Sequence, residues 1–118
     1  MILETDVIID ALIGYSLKGD PKGISKVFID MINRSGKHII SLDIPSGVDA
    51  STGEERKPFV KADQTLTLAI PKTGLNNPNI GELYLADIGI PNAVYSKFGI
   101  EVGNIFAGEY IIPVIRTD

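Results

Sequence analysis

Asp43, Ser46 and Asp49 fall within eleven residues, Ile40 to Ala50, that read Ile-Ser-Leu-Asp-Ile-Pro-Ser-Gly-Val-Asp-Ala. Two carboxylates and a hydroxyl in one short loop can bind a hard cation, orient a polar ligand or carry a proton. The same residue types also make turns and cap helices, so a purely local role stands beside the functional one. Pro45 fixes its own φ and biases Ile44 toward an extended conformation, which ends regular pairing just past Asp43. Gly47 lets the backbone turn through angles closed to other residues. A further carboxylate, Asp10, closes the run Asp-Val-Ile-Ile-Asp and is followed by the loop Gly14-Tyr-Ser-Leu-Lys-Gly-Asp20.

The elements that must position these groups follow from periodicity. Asp6 to Ala11 is a continuous β-branched apolar run, the pattern of a strand covered on both faces in a parallel sheet. Asp20 is a plausible N-cap with Pro21 in the first turn of a helix. Ile24, Val27, Phe28, Met31 and Ile32 then fall on one helical face, and Gly36 stops the helix. The strand His38 to Leu42 follows at once. Strand, helix and strand make a βαβ unit with parallel strands. Asp10 and Asp43 then emerge at the same sheet edge, on strands about 4.8 Å apart if they are neighbours. There the two carboxylates could share a ligand, a cation or a proton.

The rest of the chain reads as follows. Ala50 to Pro58 is a polar loop or short hairpin, Gln64 to Ile70 a strand, and Gly81 to Asp87 another. Between them, Lys72 in Pro71-Lys-Thr-Gly74 is a surface lysine by default and an anion ligand by the sharper reading. Tyr110 to Ile115 suits an edge strand or a linker, because Pro113 bars a central position.

With 118 residues, 44% of them hydrophobic and 22% charged, one globular domain is expected. A net charge of −4 argues against a nucleic-acid or anionic-membrane surface. No apolar run is long enough to span a bilayer, and the start of the sequence has no basic segment like that of a signal peptide. A cytoplasmic protein is therefore expected. There is no cysteine, which excludes disulfides and thiolate chemistry, and the one histidine, His38, opens an apolar strand. A dinucleotide Gly-rich turn, a Walker phosphate loop and zinc-ligand spacing are all absent from the sequence.

Taken in order, the motifs resemble the NAD(P)HX epimerase family, also called the YjeF N-terminal domain. They are Val7-Ile-Ile-Asp-Ala-Leu-Ile-Gly14 with Leu17-Lys-Gly19, Leu42-Asp-Ile-Pro-Ser-Gly-Val-Asp49, Ala62-Asp-Gln-Thr-Leu-Thr67, Pro71-Lys-Thr-Gly-Leu75, and Gly81-Glu-Leu83 with Ala86-Asp-Ile-Gly-Ile-Pro91. The resemblance implies a three-layer α/β/α sandwich of Rossmann-like type with a mostly parallel sheet. It also implies epimerisation of the R and S forms of hydrated NADH and NADPH, in nicotinamide nucleotide repair beside an ADP- or ATP-dependent dehydratase. By match, Asp10 and Ser46 resemble ligands of a potassium ion. Gly14, Tyr15, Ser16, Leu17, Lys18, Gly19, Asp20 and Asp43 resemble the segments that hold the substrate. Asp43 and Asp49 are the candidates for proton transfer.

Family members carry a further N-terminal portion whose Gly-Asn-Asn-Gly-Gly-Asp loop has no counterpart in this sequence. The expectation is therefore a domain incomplete on its N-terminal side, spanning residues 1–91, with residues 92–118 as a tail and possible link to a dehydratase domain. Apolar surface left open would favour self-association into a homo-oligomer. The alternative reading is a non-catalytic binding or dimerisation module of the same fold, or an inactive fragment without its phosphate-binding loop.

Overall fold

In the computed structural model, residues 4–14 and 17–115 are described. Five strands form one sheet in the order β1 (Val7–Asp10), β2 (His38–Leu42), β3 (Gln64–Leu68), β4 (Glu82–Ala86) and β5 (Ile111–Val114). The first four are parallel, and β5 closes the far side antiparallel to β4. Pro113 sits in that edge strand, where its missing N–H costs no central ladder bond. The βαβ expectation holds, with helix α1 (Gly23–Arg34) joining β1 to β2. A second, short helix, α2 (Asn92–Ser96), and two single 3₁₀ turns, Thr73–Leu75 and Pro78–Ile80, lie in the later connections.

Strand alternation sorts the sheet into two unequal faces. One row in register crosses it from Asp10 through Ser41, Thr65 and Leu83 to Val114. This face is covered. Ile29 and Ile32 of α1 pack with Ile39, Val60 and Ala62, and Ile44, Val48, Ala50, Leu75 and Ile80 pack over Leu83. On the opposite face no strand residue is buried, and Val7 and Ile9 are 46% and 69% exposed. The continuous apolar run of β1 predicts cover on both faces; among the described residues it has cover on one. The fold is the expected mostly parallel, Rossmann-like α/β class, with two of its three layers built.

The helix departs from expectation in two ways. Ile24, Val27, Phe28 and Met31, read as its buried face, are exposed, whereas Ile29 and Ile32 are buried. An apolar stripe at helical spacing says only that some surface covers it. The N-cap is Lys22, not Asp20, and Pro21 precedes the helix. Asp20 instead accepts the Lys57 amide at 3.1 Å through its side chain. Gly36 does end the helix, with φ at 69° just past the Ser35 C-cap.

Tight packing fixes the loop after β2. The Val60 amide donates to the Ser46 carbonyl and the Arg56 amide to the Gly47 carbonyl, each at 2.8 Å. Gly47 has φ at 95°, and a Cβ there would lie 2.6 Å from both Phe59 Cα and the Pro58 carbonyl oxygen. Positive φ and backbone on that side both exclude a larger residue. Gly47→Ala is expected to cost about 2–3 kcal/mol in urea unfolding. Gly19→Ala, at φ 71° but with nothing within 4 Å, should cost distinctly less. Equal costs would show that strain alone sets the effect.

A candidate active site at the strand ends

Asp10 ends β1 on the covered face, fully buried at 0% exposure. Its Oδ2 accepts the Ser41 hydroxyl at 2.7 Å and the Ser46 amide at 2.8 Å. Its Oδ1 accepts the Ser46 hydroxyl at 2.6 Å and the Leu12 amide at 3.4 Å. Ser46 Oγ in turn accepts the Ile13 amide at 2.8 Å. One carboxylate therefore ties the end of β1, the middle of β2 and both following loops together. A buried charge is tolerable only when hydrogen bonds or a counter-charge replace its hydration. Here the hydrogen bonds are complete, and no Lys or Arg pairs with Asp10 among the described residues.

The knot gathers oxygen groups of the kind that hard cations take. It offers one carboxylate, the Ser41 and Ser46 hydroxyls and the Ile13 carbonyl, whose oxygen lies 3.3 Å from Ser46 Oγ. Carboxylates, hydroxyls and carbonyls are the ligands such ions take. Among the described residues no three His, Cys, Asp or Glu side chains cluster as a metal site.

Asp43 lies just past β2 with φ at 67°, in the left-handed region that costs a non-glycine residue energy. Its amide still donates to the Leu66 carbonyl at 2.7 Å, so the twist begins only after the last ladder bond. The turn sends the carboxylate toward β3. Oδ1 accepts the Leu68 amide and the Thr67 hydroxyl, each at 3.2 Å, and the Lys72 ammonium. Lys72 also donates to the Leu68 carbonyl at 3.0 Å. Oδ2 has no hydrogen-bond partner among the described residues. The Lys72 and Asp43 side chains are 25% and 27% exposed.

Asp49 has a local role. Its Oδ1 accepts the Ser51 and Thr52 amides at 2.9 Å each, an Asx turn. The Thr52 N–H, then the Ser51 N–H, hold its carboxyl below the ordinary 3.8. Its hydrogen bonds reach none of Asp10, Asp43 or Ser46.

The structure thus brings Asp10, Ser46 and the start of the following loop together, and it places Asp43 in a separate cluster at the same sheet edge. Asp10 and Asp43 share no hydrogen-bond partner: Asp10 is in register with Ser41, two residues before Asp43. Gly14, Lys18, Gly19 and Asp20 are exposed and Leu17 is half-buried; Tyr15 and Ser16 lie outside the described residues. Ser41 and Thr67 are members that the sequence reading passed over. Ser41 was legible from alternation, two residues before Asp43, whereas nothing local marks Thr67 as a ligand of Asp43. A cavity of about 250 Å³ bordered by Asp87, Asn92 and Tyr95 contains none of these groups.

Fold and knot together define the class: a Rossmann-like α/β domain with an oxygen-lined site at the C-terminal edge of its parallel strands. The chain belongs to the family described as YjeF-related protein N-terminus, whose model matches residues 1–74. It is 52% identical over 116 residues to the NAD(P)H-hydrate epimerase of Dehalogenimonas lykanthroporepellens, covering 98% of this chain and 47% of that protein. It is 38% identical over 94 residues to the Bifunctional NAD(P)H-hydrate repair enzyme Nnr of Moorella thermoacetica, covering 76% of this chain and 18% of that one. The crystal structure of yeast YNL200c superposes with a TM-score of 0.79 at 24% identity, over 97% of this chain and 49% of the yeast chain. This chain spans about half the length of the epimerases it matches.

Because the folded state holds the Asp49 carboxyl below its ordinary value, its charge stabilises the fold above about pH 4. That contribution is lost as pH falls through the depressed value. Asp49→Asn keeps the acceptor oxygen but not the charge. It should unfold at lower urea than the parent at neutral pH, with the gap closing in acid. A gap independent of pH would contradict the charge-assisted turn.

Proposed function

We propose that this chain supplies the chemical edge of an NAD(P)H-hydrate epimerase, acting on the R and S forms of hydrated NADH and NADPH. The observation that carries the reading is Asp43, whose one oxygen is fixed by Thr67, Leu68 and Lys72 while the other accepts no hydrogen bond from the described residues. The epimerase name of a relative at 52% identity supports it.

Epimerisation at a hydroxyl-bearing ring carbon needs a proton delivered as the hydroxyl leaves and removed as water returns to the other face. A single carboxyl can serve both steps if one oxygen is anchored and the other meets the substrate. Asp43 Oδ2 takes that role, with Lys72 holding the partner oxygen. The Gly14 to Asp20 loop borders the substrate. Just before it, the Ile13 amide donates to Ser46, and at its end Asp20 accepts the Lys57 amide. Asp49, committed to its turn, shapes the loop rather than moving the proton.

Asp10 and Ser46 would hold a potassium ion, with Ser41 and the Ile13 carbonyl as further oxygens. Bound there, the cation would offset the charge of the carboxylates beside an anionic diphosphate. A dehydratase, fused or separate, is the proposed partner that consumes one epimer. No described helix is long and apolar enough to cross a membrane, and we place the reaction in the cytoplasm.

The uncovered sheet face favours a second reading, in which the chain binds or assembles but does not turn over alone. Conversion between the two epimers, followed by chromatography in potassium and in sodium buffer, separates the two. The first reading expects potassium-dependent conversion and a loss of 100-fold or more in Asp43→Asn, within the usual range for a general acid–base group. Lys72→Met should lower kcat with little change in KM, and Lys72→Arg should recover part of it. Absence of conversion by the parent chain would overturn catalysis by this chain on its own.

A further inference from the structure

A cavity of about 340 Å³ lies between α1 and the segment 56–61, and none of Asp10, Ser46 and Asp43 borders it. Lys26, on the first turn of α1, and Arg56, Lys57 and Lys61, on the facing segment, supply its charge. Four of the eleven Lys and Arg of the chain thus border one cavity, and none of its fifteen Asp and Glu does. In a chain of net charge −4 this is a local reversal of sign. A cleft lined by one sign of charge focuses the field and concentrates counter-ions. Glu54 answers only one of the four, with its Oε1 3.3 Å from Arg56 Nη1. Lys26, Lys57 and Lys61 pair with no carboxylate among the described residues. Arg56 also keeps a buried Nε with no hydrogen-bond partner among the described residues, a deficit that an anion on the guanidinium would relieve.

The remaining wall is apolar, made by the half-buried Pro58 and Phe59. Its frame is fixed by hydrogen bonds. Asn33 Nδ2 donates to the Phe59 carbonyl at 2.7 Å, and its Oδ1 accepts the Lys61 amide at 3.0 Å. Asp20 holds the Lys57 amide from the other end. From these observations we infer that the cavity is a second binding site, for a small ligand that carries phosphate groups on an apolar ring, the chemistry of a nucleoside phosphate. The phosphates lie among the three ammonium groups and the Arg56 guanidinium, and the ring lies against Phe59 and Pro58. The apolar wall disfavours a bare inorganic anion. From Lys26 to Asn33 the helix rises only about 10 Å, and the volume is that of a small-molecule site, so an extended acidic peptide fits less well.

Titration of this chain with ADP, followed by calorimetry and by two-dimensional amide NMR, tests the site. Saturable binding is expected, with the largest shifts at the Lys57, Phe59 and Lys61 amides and an affinity that falls as salt is added. Lys26→Glu and Lys61→Glu, both at exposed positions, should each weaken binding about fivefold. The milder Lys26→Gln and Lys61→Gln should act in the same direction by a smaller factor. Pyrophosphate, the charge alone, and adenosine, the ring alone, should each bind more weakly than ADP. Pyrophosphate binding as tightly as ADP would overturn the proposal in favour of anion adsorption. Shifts centred on Asp43 and Lys72, with binding indifferent to Lys26 and Lys61, would overturn it by placing ADP at the strand ends. Absence of saturable binding would overturn it outright. None of these readouts involves turnover, so the outcome is separate from that of the epimerase reading.

Discussion

The carboxylate of Asp10 is the interaction on which the rest of this structure depends. A strand that ends in a buried charge must surround it with donors, and the chain does so with groups drawn from two strands and two loops. Meeting that requirement sets the depth of the loop after β2. The Ser46 amide and hydroxyl both point at Asp10, so Pro45 and Ile44 are buried and the chain turns at Gly47 against Phe59. The loop after β1 is held by the same serine through the Ile13 amide. Two loops that would otherwise move independently become one wall.

Asp43 stands in a separate cluster at the same sheet edge. The left-handed turn at its φ of 67° is a local cost, offset by the three donors that receive Oδ1. A side chain anchored through one oxygen presents the other in a defined direction, the preorganisation acid–base work needs. The two carboxylates differ in setting: Asp10 is closed in by donors, while the Asp43 side chain stays 27% exposed beside Lys72.

Much of this was legible in the sequence. The βαβ unit, the parallel pairing and the edge position of Pro113 follow from periodicity and turn residues, while the pairing of Asp10 with Ser46 was implied by the family resemblance. Three things were not. The exposed stripe of α1 carries the same spacing as a buried one, because periodicity reports an apolar face and not what lies against it. Cap chemistry misled at Asp20, whose carboxylate found a long-range partner in the Lys57 amide, whereas at Asp49 it gave the turn that the structure shows. The Lys72–Asp43 pair joins residues 29 apart through a loop whose path no local pattern prescribes.

The most direct measurement of the central claim is a double-mutant cycle between Asp10 and Ser46, read by urea unfolding of Asp10→Ala, Ser46→Ala and the double variant. If the buried carboxylate organises the two loops, each single substitution strands the other's donors or acceptors, and the coupling energy should be about 2 kcal/mol or more. Coupling near zero, with additive losses, would contradict the account and reduce Asp10 to one buried polar residue among several.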